Sequence, residues 1–204
     1  MTLLLVLPLA GLIGYLIGGI DFAVWVSKAR GVDIYSVGSG NPGTSNVLRT
    51  LGKRAAAAVL AGDLLKGTLA AYLGFLIDGQ MKHAAIVGVA ALVGHCFPLV
   101  HKFKGGKGVA TFFGVVLFVS WPSFLVLAAV WLGVIGLTRK ASLASLTVVL
   151  VAIPALWFGV APETRTFYWL LAGLVLVVIR HAGSIGRLAS GEERSIERDI
   201  NAPA

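Results

Sequence analysis

Hydrophobic side chains make up 57% of the 204 residues, whereas charged residues contribute only 13%. With a mean hydropathy of +0.90, this balance excludes an ordinary soluble globular protein and indicates a single membrane domain over residues 1–204. The net charge of +8 does not indicate a nucleic-acid-binding protein, because the cations lie in short loops between hydrophobic segments.

Hydrophobic segments follow one another along the chain and predict an all-α, polytopic integral membrane protein with seven transmembrane helices. The stretch 108–137 is too long for one ordinary span. We predict a break at Trp121-Pro122, because proline removes a backbone donor and restricts the residue before it. The expected helices lie near residues 3–26, 55–77, 83–100, 108–120, 123–137, 143–160 and 166–182, followed by a polar tail at 186–204.

The distribution of Lys and Arg predicts the orientation of these helices. If the chain reverses at Trp121-Pro122, all the Lys and Arg residues except Lys66, Lys82 and Arg165 fall on one side of the membrane. Cytoplasmic loops carry the excess of positive charge in membrane proteins. We therefore expect the amino terminus outside and the carboxyl terminus in the cytoplasm.

The first polar loop, from Gly38 to Arg49, combines glycines, hydroxyls, amides and one arginine (GSGNPGTSNVLR). Its first six residues contain three glycines and a proline, so we expect a tight loop, with Ser45 or Asn46 capping a helix that begins near Val47. Backbone amides at a helix start, together with a guanidinium, suit a phosphate dianion. The alternative is a flexible loop in which Arg49 pairs with lipid headgroups.

A second glycine-rich loop, residues 101–108, reads HKFKGGKG. A positively charged cytoplasmic turn accounts for Lys102 and Lys104, but it does not account for the glycines around Lys107. Glycine lets the backbone approach a ligand closely, so Lys107 is predicted as a second phosphate contact. His95, inside the preceding span, is interpreted as a hydrogen-bonded structural residue. No Cys/His cluster with metal-ligand spacing accompanies it in the sequence, so no metal is expected.

Two features within the predicted spans point towards neighbouring helices. Asp63 and Lys66 are three residues apart on one helix face, which favours an internal ion pair, with Asp21 as a further member of its network. Gly14 and Gly18 form a GxxxG pair, which predicts a close contact between helices.

The remaining candidate residues lie in the second half of the chain. Ser142 and Ser145 have the spacing of one helix face, although isolated serines there would be ordinary helix-start residues. His181 follows Arg180 and precedes Ser184, at the expected membrane interface. No acid lies at a spacing that would complete a local Ser–His–Asp relay.

Taken together, these segments resemble the bacterial acyl-phosphate-dependent glycerol-3-phosphate acyltransferases, integral membrane enzymes of phospholipid synthesis. The resemblance runs from about residue 14 to residue 193 and implies seven membrane helices with signature loops on the cytoplasmic side of the bacterial inner membrane. It rests on residues 31–53 (GVDIYSVGSGNPGTSNVLRTLGK), 62–67 (GDLLKG), 94–111 (GHCFPLVHKFKGGKGVAT), 142–145 (SLAS) and 180–193 (RHAGSIGRLASGEE).

The resemblance implies that sn-glycerol 3-phosphate and a long-chain acyl phosphate react to lysophosphatidic acid and phosphate, the first step of membrane phospholipid synthesis, without a cofactor. It further implies contact with membrane lipid and an association with the enzyme that produces acyl phosphate, and no nucleic-acid partner. Catalytic roles transfer onto Arg49, Lys107, Ser145 and His181. Substrate-binding roles transfer onto Ser39, Asn41, Ser45, Asn46, Gly105, Gly106, Ser142 and Ser184.

One position departs from the family pattern, and two questions stay open. The family has an asparagine three residues after the histidine; here Ser184 stands in that place, with Ala182 and Gly183 before it. Either Ser184 holds a water in place of the longer amide, or this part of the site is rearranged. The general base is either His181 or an oxygen of a substrate phosphate. The alternative function is a transporter or channel for a phosphorylated anion, although the sequence contains no inverted repeat.

Overall fold

The computed structural model describes residues 2–160 and 163–197, and within these residues the secondary structure is helical, without strands. A short 3₁₀ turn, Leu99–His101, follows the fifth α-helix. The α-helices are α1 (Thr2–Gly18), α2 (Phe22–Lys28), α3 (Thr44–Leu51), α4 (Lys53–Phe75), α5 (Met81–Cys96), α6 (Val109–Val119), α7 (Trp121–Thr138), α8 (Ala141–Val160), α9 (Thr164–Arg180) and α10 (Ala182–Ala189).

The predicted helix at 3–26 is divided in the structure into α1 and α2, with a break at residues 19–21. Asp21 caps α2 by accepting a hydrogen bond of 3.1 Å from the backbone amide of Val24. The carbonyl of Ile20 accepts a hydrogen bond of 2.7 Å from the Lys66 ammonium. The break is therefore stabilised by groups that satisfy the backbone at both of its ends.

Glycines in α1 allow a close approach to α5. A β-carbon on Gly14 would overlap Val87, and one on Gly18 would overlap the backbone of Ala91. The close helix contact predicted from the GxxxG pair is thus confirmed. Contacts of this kind let two backbones pack tightly where lipid gives no hydrophobic driving force.

Five helical segments of the described chain are long and apolar enough to cross a membrane, and α9 with α10 forms a sixth, bent by 54°. By contrast, α6 has only 11 residues. Most of its side chains are buried, because it packs against α4, α5, α7 and α9. The shortest of the apolar helices therefore lies in the interior of the bundle.

The break predicted at Trp121-Pro122 is confirmed. α6 ends at Val119, and α7 begins at Trp121, so Pro122 lies in the first helical turn, where a missing amide donor costs nothing. The rings of Phe113 and Phe124, one on each helix, lie 6.1 Å apart. The chain therefore bends between the two helices, which contact each other.

The polar segments that connect the helices meet at one end of the bundle. The first loop contacts the glycine-rich loop and the tail, and the tail also contacts the turn between α7 and α8. Hydrogen bonds of 2.8 Å join the pairs Tyr35–Lys104, Arg194–Gly38 and Ile196–Arg139. Of the predicted polar tail, residues 186–189 belong to α10, 190–197 are not helical, and 198–204 lie outside the described residues.

Candidate active site

A cavity of about 500 Å³ lies at the end of the bundle where the polar segments meet. The loops and the tail form a polar wall, whereas α4, α6 and α7 form an apolar wall. Five cationic side chains and two carboxylates of the described residues line the cavity, so its charge favours an anion. The apolar wall contains Leu60, Leu64, Phe113, Phe124, Trp131 and Leu132.

The cavity brings together the residues predicted for the site, except Gly105 and Gly106, which are not part of its lining. They come from separate segments of the chain, so their assembly depends on the tertiary fold. Those in the lining are Ser39, Asn41, Ser45, Asn46, Arg49, Lys107, Ser142, Ser145, His181 and Ser184.

The first loop is shaped by the side chain of Asn46. Its carboxamide oxygen accepts a hydrogen bond of 2.9 Å from the backbone amide of Ser39, and its NH₂ group donates one of 3.0 Å to the carbonyl of Val37. The sequence predicted a helix that begins near Val47, but helix α3 begins at Thr44. Its N-cap is Gly43, so neither predicted residue caps it, because Asn46 bonds back to the loop from within the helix.

Arg49 is only partly satisfied by the protein. Its terminal nitrogens donate to the carbonyl of Ser195 at 3.2 Å and, weakly, to the hydroxyl of Ser39 at 3.5 Å. The Nε atom is buried without a hydrogen-bond partner among the described residues, as is the hydroxyl of Thr44. Burial, followed by the charge of Arg194, lowers the pKa of the Arg49 guanidinium from its ordinary value. Unpartnered donors in a cationic cavity indicate where an anionic ligand would bind.

Ser184 connects two cations of the site. The Lys107 ammonium donates to the Ser184 hydroxyl, which also accepts a hydrogen bond of 2.9 Å from Arg187. Glu193 accepts hydrogen bonds from Arg187 at 2.8 Å and from the Ser142 hydroxyl at 2.6 Å. Burial lowers the pKa of Lys107 to about 8. The serine that replaces the family's asparagine is therefore bonded directly to Lys107.

His181 has a defined tautomer. Its Nδ1 atom lies 2.8 Å from the carbonyl of Val177, and a carbonyl can only accept, so Nδ1 carries the hydrogen. Burial, followed by the charge of Lys107, lowers the pKa of His181 to about 4, so the ring is neutral and Nε2 is a hydrogen-bond acceptor in a residue that lines the cavity. Nε2 is therefore available to accept a hydrogen bond from a ligand.

Ser145 uses its hydroxyl within the protein. The hydroxyl donates to the carbonyl of Ala141 at 2.8 Å and accepts a hydrogen bond of 3.2 Å from the indole of Trp131. Its hydrogen is thus committed to the helix backbone, which leaves the oxygen free to accept a further hydrogen bond.

The glycine-rich loop is held from two sides. Arg180 donates hydrogen bonds of 2.8 and 3.1 Å to the carbonyls of Gly105 and Gly106, and its guanidinium stacks 5.1 Å from the ring centre of Phe97. On the other side, the amide of Gly106 donates to the carbonyl of His95 at 3.1 Å. These contacts fix the backbone next to Lys107.

The lining also contains polar residues that were not assigned to the site from the sequence, among them Thr44, Arg180 and Arg194. Two of them are direct neighbours of assigned residues, since Thr44 precedes Ser45 and Arg180 precedes His181. That adjacency was the signal that could have identified them. Arg194 reaches the site only because the tail folds back across the loops, which no local pattern indicates.

The chain is similar to known membrane enzymes over most of its length. A family model described as glycerol-3-phosphate acyltransferase matches residues 8–191. The glycerol-3-phosphate acyltransferase of Mesorhizobium japonicum is 42% identical over 93% of this chain and 96% of its own. Glycerol-3-phosphate acyltransferase 2 of Thermotoga maritima is 37% identical over 91% and 94%.

Solved structures of one integral membrane glycerol 3-phosphate acyltransferase, PlsY (YgiH), have a similar fold. Its glycerol 3-phosphate form superposes with a TM-score of 0.87 at 36% identity, covering 93% of this chain and 94% of that one. Its lysophosphatidic acid form gives a TM-score of 0.85 at 35% identity, with the same coverage. Identity at this level over nearly complete chains indicates a shared family as well as a shared fold.

Proposed function

The chain belongs to the glycerol-3-phosphate acyltransferase family, and from this premise we propose that it transfers a fatty acyl group from acyl phosphate to the 1-hydroxyl of sn-glycerol 3-phosphate. The products are lysophosphatidic acid and inorganic phosphate, and the reaction begins membrane phospholipid synthesis. The observation that carries the proposal is the cavity with one cationic and one apolar wall. Such a cavity fits anionic headgroups beside an acyl chain.

The chemistry requires positioning more than activation. Acyl phosphate is already an activated donor, so the oxygen of the glycerol hydroxyl attacks the carbonyl carbon, and the bond from that carbon to the phosphate oxygen breaks. Phosphate leaves with the bonding electrons. The enzyme has to hold two phosphates close together and neutralise their charge. Arg49 and Lys107 are the cations proposed for this task, because both line the cavity and Arg49 retains an unpartnered donor.

The hydroxyl proton goes either to Nε2 of His181 or to an oxygen of a substrate phosphate. The acceptor character of Nε2, fixed by the bond from Nδ1 to the carbonyl of Val177, supports the first route. Direct contacts to substrate are proposed for Ser39, Asn41, Ser45 and Ser145. Residues that instead hold other groups of the site in place are Asn46, Gly105, Gly106, Ser142 and Ser184.

Seven membrane crossings are proposed, with the amino terminus outside, the carboxyl terminus in the cytoplasm, and the site facing the cytoplasm at the inner membrane. The crossings are α1 with α2, then α4, α5, α6, α7, α8 and α9. The 11 residues of α6 extend only about 16 Å, about half of the hydrocarbon thickness. The glycine-rich loop precedes α6 at the cytoplasmic end of this short crossing, outside the membrane-spanning segment.

An association with the enzyme that produces acyl phosphate belongs to the same proposal. Acyl phosphate combines a long apolar chain with a hydrolysable mixed anhydride, so a short path between the two enzymes protects it from water. The cationic end of the bundle would receive such a partner. Crosslinking in native membranes, followed by identification of the crosslinked protein, tests this association; recovery of the acyltransferase alone would contradict it.

The donor is tested with purified protein in lipid or detergent. Acyl phosphate, acyl-CoA and acyl carrier protein are supplied separately with sn-glycerol 3-phosphate, and lysophosphatidic acid is measured. We expect turnover with acyl phosphate alone, with one phosphate released per product. The sequence also contains no His-x₄-Asp string, the signature of acyl-CoA-using acyltransferases. Comparable rates with acyl-CoA would overturn the donor assignment.

A further inference from the structure

Three ionisable side chains form a buried cluster behind the glycine-rich loop. The Lys66 ammonium lies 2.7 Å from a carboxylate oxygen of Asp63, 2.8 Å from Nδ1 of His95 and 2.7 Å from the carbonyl oxygen of Ile20. All three side chains are at most 6% exposed. An ammonium has three N–H donors, which matches these three neighbouring groups in number.

The cluster fixes the orientation of the His95 ring. A carboxylate and a carbonyl can only accept hydrogen bonds from Lys66, and the paired ammonium is a donor towards Nδ1 as well. His95 is therefore neutral, with its hydrogen on Nε2. The Lys66 bond holds the ring at one nitrogen, and the other nitrogen faces the glycine-rich loop.

The opposite edge of the ring contacts Gly106 without room for a side chain. A β-carbon at Gly106 would overlap Nε2 of His95 and come within 2.8 Å of the carbonyl oxygen of Pro42 in the first loop. The carbonyl of His95 also accepts the hydrogen bond of 3.1 Å from the amide of Gly106. His95 thus holds the residue directly before Lys107 by its ring and by its backbone.

We propose that Asp63, Lys66 and His95 act as a positioning unit, which sets the place of the Lys107 ammonium in the cavity through Gly106. The proposal rests on the phosphate-binding role proposed above for Lys107. Buried charges in a membrane are costly and persist where a function uses them. A unit made of helix residues on α4 and α5 gives a loop of glycines the rigidity that a binding site needs.

A double-mutant cycle separates positioning from general stability. We compare kcat/KM for sn-glycerol 3-phosphate in the wild type, His95→Ala, Lys107→Ala and the double variant, each normalised to folded protein. In each single variant kcat/KM should fall by about tenfold or more, because both substitutions remove the contact between the Lys107 ammonium and the substrate phosphate. The kcat/KM of the double variant should then lie within about threefold of that of Lys107→Ala, because the effects of coupled residues are not additive. A double variant that shows the product of the two losses would overturn the inference.

A matched control lies in the same helix. His83 is also buried, pairs with Asp78 at 2.7 Å, and belongs to the opposite end of α5 from the site. His83→Ala should lower the melting temperature. The kcat/KM of the folded variant should stay within about twofold of the wild-type value, and its effect should be additive with that of Lys107→Ala. A loss in kcat/KM equal to that of His95→Ala would contradict the positioning role.

A conservative variant guards against a failure to fold. In His95→Asn, the carboxamide oxygen can take the place of Nδ1 and accept the hydrogen bond from Lys66. This variant should keep more activity than His95→Ala and show the same coupling with Lys107. If Lys107→Ala alone keeps normal kcat/KM, the proposed role of Lys107 fails; if it is impaired but additive with His95→Asn, only the positioning unit fails.

Discussion

Arg49 keeps one buried N–H, at Nε, without a hydrogen-bond partner among the described residues. A bound phosphate would accept a hydrogen bond from this N–H, so we expect Arg49→Ala to lower activity. Lys107→Ala should do the same, because its ammonium lines the same cavity. Loss of a charge-assisted contact in a partly dry site costs about 1.5–3 kcal/mol, or roughly ten- to a hundredfold in kcat/KM. Steady-state assays of purified, correctly inserted variants measure this.

Lys102 provides the control for these substitutions. It lies in the same loop as Lys107 but is exposed and does not line the cavity. We interpret its charge as a determinant of topology only, so Lys102→Ala should have a much smaller effect on kcat/KM. Equal losses at Lys102 and Lys107 would show that the assignment within the loop is wrong.

Lys107 also predicts a pH dependence. Because burial lowers its pKa to about 8, the ammonium of the free enzyme loses its proton as the pH rises through that value. Above it, kcat/KM for sn-glycerol 3-phosphate should fall by about tenfold per pH unit. A bound phosphate raises the pKa of a neighbouring ammonium, so kcat at saturation should stay level to higher pH. Lys107→Arg should lack the fall, and an unchanged profile in that variant would exclude Lys107 as its cause.

Ser184 tests how this chain departs from its family. Ser184→Asn should preserve or improve activity, because the carboxamide oxygen can accept from Lys107 and Arg187 as the hydroxyl does. Ser184 is buried but lines the cavity, so we expect the longer group to extend into that space. A fall in activity of about tenfold or more would instead indicate overpacking in a rearranged tail.

His181→Ala should lower activity sharply, whichever result Ser184→Asn gives. Normal turnover of the His181→Ala variant would show that the tail is not part of the active site.

At the scale of whole helices, the sequence was a good guide where hydrophobic length and proline decide the structure. The helix break at Trp121-Pro122 and the ion pair of Asp63 with Lys66 follow directly from it. It did not predict the break at residues 19–21, because the break depends on a lysine from α4, distant in the chain. The start of α3 was misplaced for a similar reason, since Asn46 bonds to the loop.

The close contact between α4 and α6 predicts that Gly→Ala substitutions at two positions differ in their effect on the stability of the protein. A β-carbon on Gly114 would overlap the carbonyl oxygen of Leu64, whereas one on Gly133 would meet nothing within 4 Å. Gly114→Ala should therefore destabilise the protein by about 1–3 kcal/mol, as overpacking does. Gly133→Ala should leave the stability unchanged or slightly higher, because alanine favours helix. Thermal unfolding in detergent compares them, and equal melting temperatures would contradict the close packing.

At the scale of the whole molecule, the assembly of the site depends on contacts that no local pattern contains. The carbonyl of Ser195 accepts from Arg49, and Glu193 accepts from Ser142, so the tail joins segments that are far apart in sequence. The cation count predicts that these segments lie on one side of the membrane. It could not show that they share one cavity, because charge fixes the side of a loop and packing fixes its neighbours.

The proposed topology makes the last prediction, which concerns the side of each loop. The test uses single cysteines at positions 140 and 165, in a background in which the buried Cys96 is replaced by alanine. Residue 140 directly precedes α8, and residue 165 lies at the start of α9, beyond the other end of α8. In intact cells, a membrane-impermeant thiol reagent should label residue 165 and leave residue 140 unlabelled until the membrane is opened. The reason is that residue 140 adjoins the tail, through the hydrogen bond between Arg139 and Ile196, at the cationic end. Labelling of residue 140 from outside would reverse the orientation and place the site away from the cytoplasm.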